Sequence, residues 1–155
     1  MKLYLVRGLP GSGKSTFAKS IGCFHVEADM YHVREGKYSF NTDNIVQAHS
    51  WCKDQVEQAL EKGIDVAVSN TFTTIKEIQF YLDLAEGFNA KGVRCRVSIY
   101  WMHKGPFGNK HRVPELTLAA MAQRWEAVAG EIDVEKQNFH EGARTVPQSS
   151  EMPNA

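Results

Sequence analysis

Residues 8–16 read GLPGSGKST, directly after the apolar run Leu3-Tyr4-Leu5-Val6 and directly before a short helical pattern. No other stretch of this chain constrains its fold so tightly. The segment fits the phosphate-binding pattern GxxxxGK[ST] in the strand–loop–helix setting that the pattern requires. Gly8, Gly11 and Gly13 free the backbone to turn successive N–H groups inward as an anion nest. The helix starting near Lys14 adds the positive end of its dipole. Lys14 is expected to reach the β- and γ-phosphates and Ser15 to ligate Mg²⁺. With Leu9, Pro10, Ser12 and Thr16 these residues form the expected binding loop for a nucleoside triphosphate.

Apolar and helical patterns alternate along the rest of the chain. Lys2–Arg7 reads as a strand, Lys14–Ile21 as a helix and Cys23–Ala28 as a second short strand. Residues Asn41–Lys62 carry apolar positions every three or four, which predicts a long helix stopped by Gly63. Val66-Ala67-Val68 is a third, buried strand. A helix is expected from Thr74 to Lys91, capped by Thr73 or Thr74, then a strand over Val93–Met102. The loop His103–Val113 leads to a helix opened by Pro114, with Leu118, Met121, Trp125 and Val128 as its buried stripe. Strands joined by helices imply right-handed crossovers and a parallel sheet covered on both faces. Ligands of such sheets bind at the carboxyl ends of the strands.

The residues following each strand are therefore the site candidates. Asp29 stands where a carboxylate could take the proton of an attacking hydroxyl, or could cap a turn. After the third strand, where many phosphate-loop enzymes hold a metal-coordinating Asp, come the neutral Ser69-Asn70-Thr71. Asn70 and Thr71 read as substrate contacts or as a simple turn. Metal binding then falls to Ser15, the phosphates, water and Asp29. The loop His103–Arg112 holds three fixed positive charges, two histidines, two glycines and no acid. That composition suits a lid closing over phosphates.

Composition narrows the alternatives. At 155 residues with equal numbers of acidic and basic groups, the chain is one domain without the strongly basic balance of a nucleic-acid coat protein. No apolar run approaches the ~20 residues of a membrane span. Cys23, Cys52 and Cys95 show neither CxxC pairing nor a disulfide framework, which implies reduced thiols in a cytoplasm. Core packing is favoured over base stacking for Trp51, Trp101 and Trp125, and His49 reads as a core histidine. Lys91, Arg94 and Arg96 read as a solvated strand entrance.

The loop Gly8–Thr16, the Asp29 segment, Ser69-Asn70-Thr71, and Asn109-Lys110-His111-Arg112-Val113-Pro114 followed by MAQRWE (121–126) occur here in that order. In this combination the chain resembles the 5′-hydroxyl polynucleotide kinase branch of the P-loop phosphotransferases, over about Lys2 to Val128. The resemblance implies ATP as donor, Asp29 as general base and Arg112 as the lid arginine, with Lys110 assisting at the phosphates. It also implies an acceptor site around His32, Arg34, Asn70 and Thr71. His32 stands where the family has an arginine, Ser69 where it usually has an aspartate, and Gly108 where many relatives have another arginine.

The expected architecture is an α/β P-loop NTPase, a three-layer sandwich with a small parallel sheet of about four strands and a short lid loop. Its kinase domain spans 1–141, and 142–155 form a loose tail. The expected function is Mg²⁺-dependent transfer of the ATP γ-phosphate to a hydroxyl, foremost the 5′-OH of a polynucleotide. Two alternatives stand beside it: a kinase of a small alcohol such as a nucleoside or sugar, and an ATP-binding interaction module with little catalysis.

Overall fold

A computed structural model describes residues 1–34, 37–38, 44–97 and 115–134. In chain order the elements are β1 (Lys2–Arg7), α1 (Lys14–Ser20), β2 (Phe24–Val26), a short 3-10 helix (Ala28–His32), β3 (Val33–Arg34), β4 (Lys37–Tyr38) and α2 (Ile45–Glu61). They continue with β5 (Val66–Asn70), α3 (Ile75–Gly87), β6 (Lys91–Val97), α4 (Glu115–Gln123) and β7 (Ile132–Val134). Five strands form one parallel sheet in the order β2-β5-β1-β6-β7, while β3 and β4 make a small antiparallel pair.

The alternation of side chains along β1 builds the two faces. Leu3 and Leu5 join Val66 and Val68 under Cys52, Val56 and Leu60 of α2 and Ile78, Tyr81 and Ala85 of α3. Tyr4 and Val6 point the other way, into a cluster with Phe17 and Ala18 of α1, Val93, Cys95, Val97 and Val134. A sheet buried on both sides explains why β1 and β5 are continuous apolar runs. The result is the expected three-layer α/β sandwich.

Several boundaries differ from the sequence expectation. The sheet has a fifth strand, β7, paired through Cys95↔Ile132 to Val97↔Val134. Helix α3 stops at Gly87 and β6 already begins at Lys91. The turn between them uses Asn89 at φ 56°, a left-handed residue that ends the helix before the expected boundary at Lys91. Helix α4 buries none of its residues and ends before Trp125, so the stripe 118–128 is not one helical face. Arg96 is paired rather than solvated, with Nη2 at 2.7 Å from Asp133 Oδ1. His49 is exposed rather than in the core. By contrast, α2 ends where expected, with Gly63 at φ 74° donating its N–H to the Leu60 carbonyl.

Strand β1 lies at the centre, and successive connections leave it first toward β5 and β2, then toward β6 and β7. Such a switch point opens a crevice at the carboxyl end of the central strand. Residues 8–16 occupy that end.

Candidate nucleotide and phosphotransfer site

The loop after β1 is shaped by close approach. A Cβ on Gly8 would collide with Ser12 Oγ and come within 2.5 Å of the Val97 carbonyl oxygen, so only glycine fits between the loop and β6. Gly11 at φ 84° and Gly13 at φ 95° take left-handed conformations that side chains resist. Ser12 donates its backbone N–H to the Leu9 carbonyl at 3.0 Å, and Phe17 N–H to Gly13 O at 3.0 Å starts α1. The first turn of α1 contains no acid and no side chain caps it, leaving its N–H groups to an anion. Ser12 Oγ is buried with no hydrogen-bond partner among the described residues. A glycine cradle with open amides and an orphaned buried hydroxyl fits a phosphate group.

Lys14, the first residue of α1, is partly buried. Loss of water around its ammonium pushes its pKa down, opposed by the negative charges of Glu27 and then Asp29. A desolvated cation is strongly attracted to an arriving polyanion. Asp29 lies half-buried on the 3-10 helix after β2, close enough for its charge to be felt at Lys14.

The expectation overlooked Glu27. This residue directly follows β2, and its Oε2 accepts hydrogen bonds from Ser15 Oγ at 2.5 Å and Ser69 Oγ at 2.8 Å. Behind it, His25 Nε2 lies 2.7 Å from Ser69 Oγ. Burial lowers the His25 pKa, against the pull of Glu27 and with the help of Lys19, which favours the neutral ring. Ser69 spends its proton on Glu27, which leaves His25 Nε2–H as the donor in that contact. The parallel pairing of β2 with β5, through Val26↔Val68, sets Glu27 beside Ser69, and no local sequence pattern signals it.

The expected acceptor residues divide. Asn70 is buried; its Oδ1 accepts the Ala28 N–H at 2.9 Å and its Nδ2 approaches Cys52 Sγ at 3.8 Å. Its amide therefore anchors the helix that carries Asp29, a task the substrate-contact reading did not include. His32 is buried, with its ring edge-on to Tyr31 at 5.8 Å between centroids. Thr71 is half-buried at the end of β5, and Arg34 pairs in β3 with Lys37 of β4. Lys110 and Arg112 lie outside the described residues. Trp51 packs against the core beside Tyr31 at 6.2 Å, as expected, while Trp125 lies half-buried over the Arg7 guanidinium at 3.7 Å and Trp101 lies outside the described residues. Among the described residues, no three His, Cys, Asp or Glu side chains converge to hold a metal without a further ligand. None of the described helices is long and apolar enough to cross a membrane.

Comparisons with known proteins agree with this architecture. The chain is 30% identical over 108 residues to NEDD4-binding protein 2 of Homo sapiens, covering 66% of this chain but 6% of that protein. It is similar in structure to a gluconokinase from Sinorhizobium meliloti 1021, with TM-score 0.63, 19% identity, and coverage of 93% of this chain and 88% of that one. It is also similar to a chain of the Pnkp1/Rnl/Hen1 RNA repair complex, with TM-score 0.65, 17% identity, and coverage of 79% and 43%. Likeness at these identities describes a shared P-loop kinase-like fold. A family model described as an AAA domain matches residues 3–128, most of the chain and the whole of the site just described, and the protein belongs to that family.

Proposed function

We propose that this protein is a Mg²⁺-dependent phosphotransferase that moves the γ-phosphate of ATP to a hydroxyl, foremost the 5′-OH of an RNA or DNA end. The observation that carries this reading is the glycine cradle after β1, where only glycine fits at position 8, Gly11 and Gly13 take left-handed conformations, and Ser12 Oγ is buried without a partner among the described residues. Lys14 opens α1 directly after that cradle, and Asp29 lies on the 3-10 helix that follows β2.

Gly8–Thr16 hold the triphosphate, and Lys14 bridges its β- and γ-phosphates. Ser15 is the residue that would hold Mg²⁺, which when bound neutralises charge on those phosphates. Asp29 accepts the proton of the incoming hydroxyl, whose oxygen forms the new bond to the γ-phosphorus as the bond to the β–γ bridging oxygen breaks and ADP leaves. Arg112, with Lys110, closes over the transferring group. Arg34 and Thr71 are the candidates to contact the acceptor, while Asn70 and His32 shape the segment beside it. The free thiols of Cys23, Cys52 and Cys95 suit a reducing compartment such as the cytoplasm.

A kinase of a small alcohol is the second reading. It is favoured by the zero net charge and by the near full-length match to the gluconokinase fold. Incubation with γ-labelled ATP and 5′-OH RNA, 5′-OH DNA, nucleosides and sugars separates the two. A polynucleotide acceptor would bind with a steep loss of affinity in salt, and a small alcohol with little. Asp29→Asn should lower turnover about 10²- to 10⁴-fold and Arg112→Ala about 10³- to 10⁵-fold, with ATP affinity nearly kept. Full turnover in both variants would refute the assigned roles. ATP binding without product across the whole panel would point instead to an interaction module.

A further inference from the structure

We propose that Glu27, delivered from the end of β2, is the carboxylate that orients the metal-binding hydroxyl of Ser15, replacing an acid that this chain lacks at the end of β5. The inference rests on the Mg·ATP site proposed above. P-loop enzymes hold their metal with the loop Ser or Thr and an acid from a neighbouring strand. Here the strand beside β1 ends in Ser69-Asn70, with Ser69 in register with Val6, and supplies no charge.

The missing charge arrives from one strand farther out. Strand β2 pairs with β5 through Val26↔Val68, and Glu27 is the next residue. Adjacent strands lie about 4.8 Å apart, so an acid on β2 has farther to reach than one on β5. Glutamate is one methylene longer than aspartate, and serine at 69 is small enough to leave its path open. The contact is made: Ser15 Oγ donates to Glu27 Oε2 at 2.5 Å. A hydroxyl has one proton and two lone pairs, so committing the proton to Glu27 leaves the lone pairs for a cation.

Ser69 and His25 fix the carboxylate in place. Ser69 Oγ donates to the same Oε2 at 2.8 Å and accepts from His25 Nε2 at 2.7 Å. Ser69 is fully buried, so its hydroxyl is committed to this relay and not to solvent. Glu27 is thereby a positioning residue for Ser15, and the neutral turn after β5 is accounted for without loss of the metal.

The test reads metal affinity rather than turnover. Binding of a fluorescent ADP analogue is titrated with Mg²⁺, and Mn²⁺ binding to the protein–ADP complex is followed by electron paramagnetic resonance. Glu27→Gln and Glu27→Ala should weaken metal affinity about 10- to 100-fold, as loss of an orienting partner does elsewhere. Metal-free ADP affinity and the melting temperature should stay near wild type in Glu27→Gln. Combining Glu27→Ala with Ser69→Asp returns a carboxylate to β5 and should restore metal affinity, which a merely structural role for Glu27 would not allow. Unchanged metal affinity in both Glu27 variants, or no rescue by Ser69→Asp, overturns the inference while leaving the nucleotide site intact. Absence of metal-dependent nucleotide binding in the wild type overturns both.

Discussion

Arg7 grips the carbonyl oxygen of Phe72 with two donors, Nε at 3.0 Å and Nη2 at 2.7 Å. The carbonyl belongs to a bulky residue held at φ 46°, a region that side chains resist. The same guanidinium donates from Nη1 to the Glu126 carbonyl at 2.9 Å and to Glu131 at 3.1 Å, and lies against Trp125. One arginine, 1% exposed and one residue before the nucleotide loop, thus ties together β1, the turn after β5 and the segment leading to β7.

Removing that arginine should be costly. Arg7→Met leaves the Phe72 carbonyl without its donors and Glu131 with only the more distant Arg96, at 3.7 Å, and breaking a buried pair costs up to about 3–5 kcal/mol. Arg7→Lys should recover little, because an ammonium cannot reproduce the planar fork. Urea unfolding of the three proteins measures this. A loss below about 1 kcal/mol in Arg7→Met would mean that the network is not what secures these segments.

Lys14 should behave in the opposite way. Burial makes its charge expensive before nucleotide binds, more than Glu27 and Asp29 return. Lys14→Met should therefore melt at or above the wild-type temperature without nucleotide, while losing the rise that Mg·ATP gives by mass action. A lower melting temperature without nucleotide would show that its two acids outweigh the burial.

These residues also show where a sequence can be read and where it cannot. β1 was plain because a continuous apolar run meets a motif with one backbone solution, and α2 ended at Gly63 because its glycine had to. The α3–β6 turn was misplaced because Asn89, with an ordinary side chain, took a conformation usually left to glycine. β7 has three residues and no period to detect; its place is secured by distant pairs, Arg96–Asp133 and Arg7–Glu131. Glu27 escaped notice for a similar reason. Its meaning lies in the pairing of β2 with β5, which local pattern does not encode.

Asn70 offers a way to separate positioning from substrate contact. Asn70→Ala leaves the buried Ala28 N–H without its acceptor, at a cost of about 1–3 kcal/mol. Because Ala28 precedes Asp29, turnover should fall with the loosened helix while the acceptor KM changes little. A raised acceptor KM with stability unchanged would instead make Asn70 a direct contact. Steady-state kinetics alongside thermal melting distinguishes the two.

Alkaline pH should expose the buried thiols. Burial, reinforced by the charge of Glu131, pushes Cys95 from an ordinary value near 9.0 up to about 12. Below pH 9 both the folded and unfolded chains keep this proton, and stability does not depend on it. Between pH 9 and 12 the unfolded chain sheds the proton and the folded chain retains it, so the unfolded state binds fewer protons and stability falls as pH rises. The limiting slope is about 1.4 kcal/mol per pH unit for one such group. Cys23, pushed to about 11, Cys52 and Tyr81 act in the same direction. Comparing wild type with Cys95→Ala isolates one of them, since every other titration is common to both proteins. Urea midpoints from pH 8 to pH 11 should show the wild-type advantage shrinking above pH 9. A gap constant across that range would mean that the Cys95 proton is no more tightly held in the folded chain than in the unfolded one.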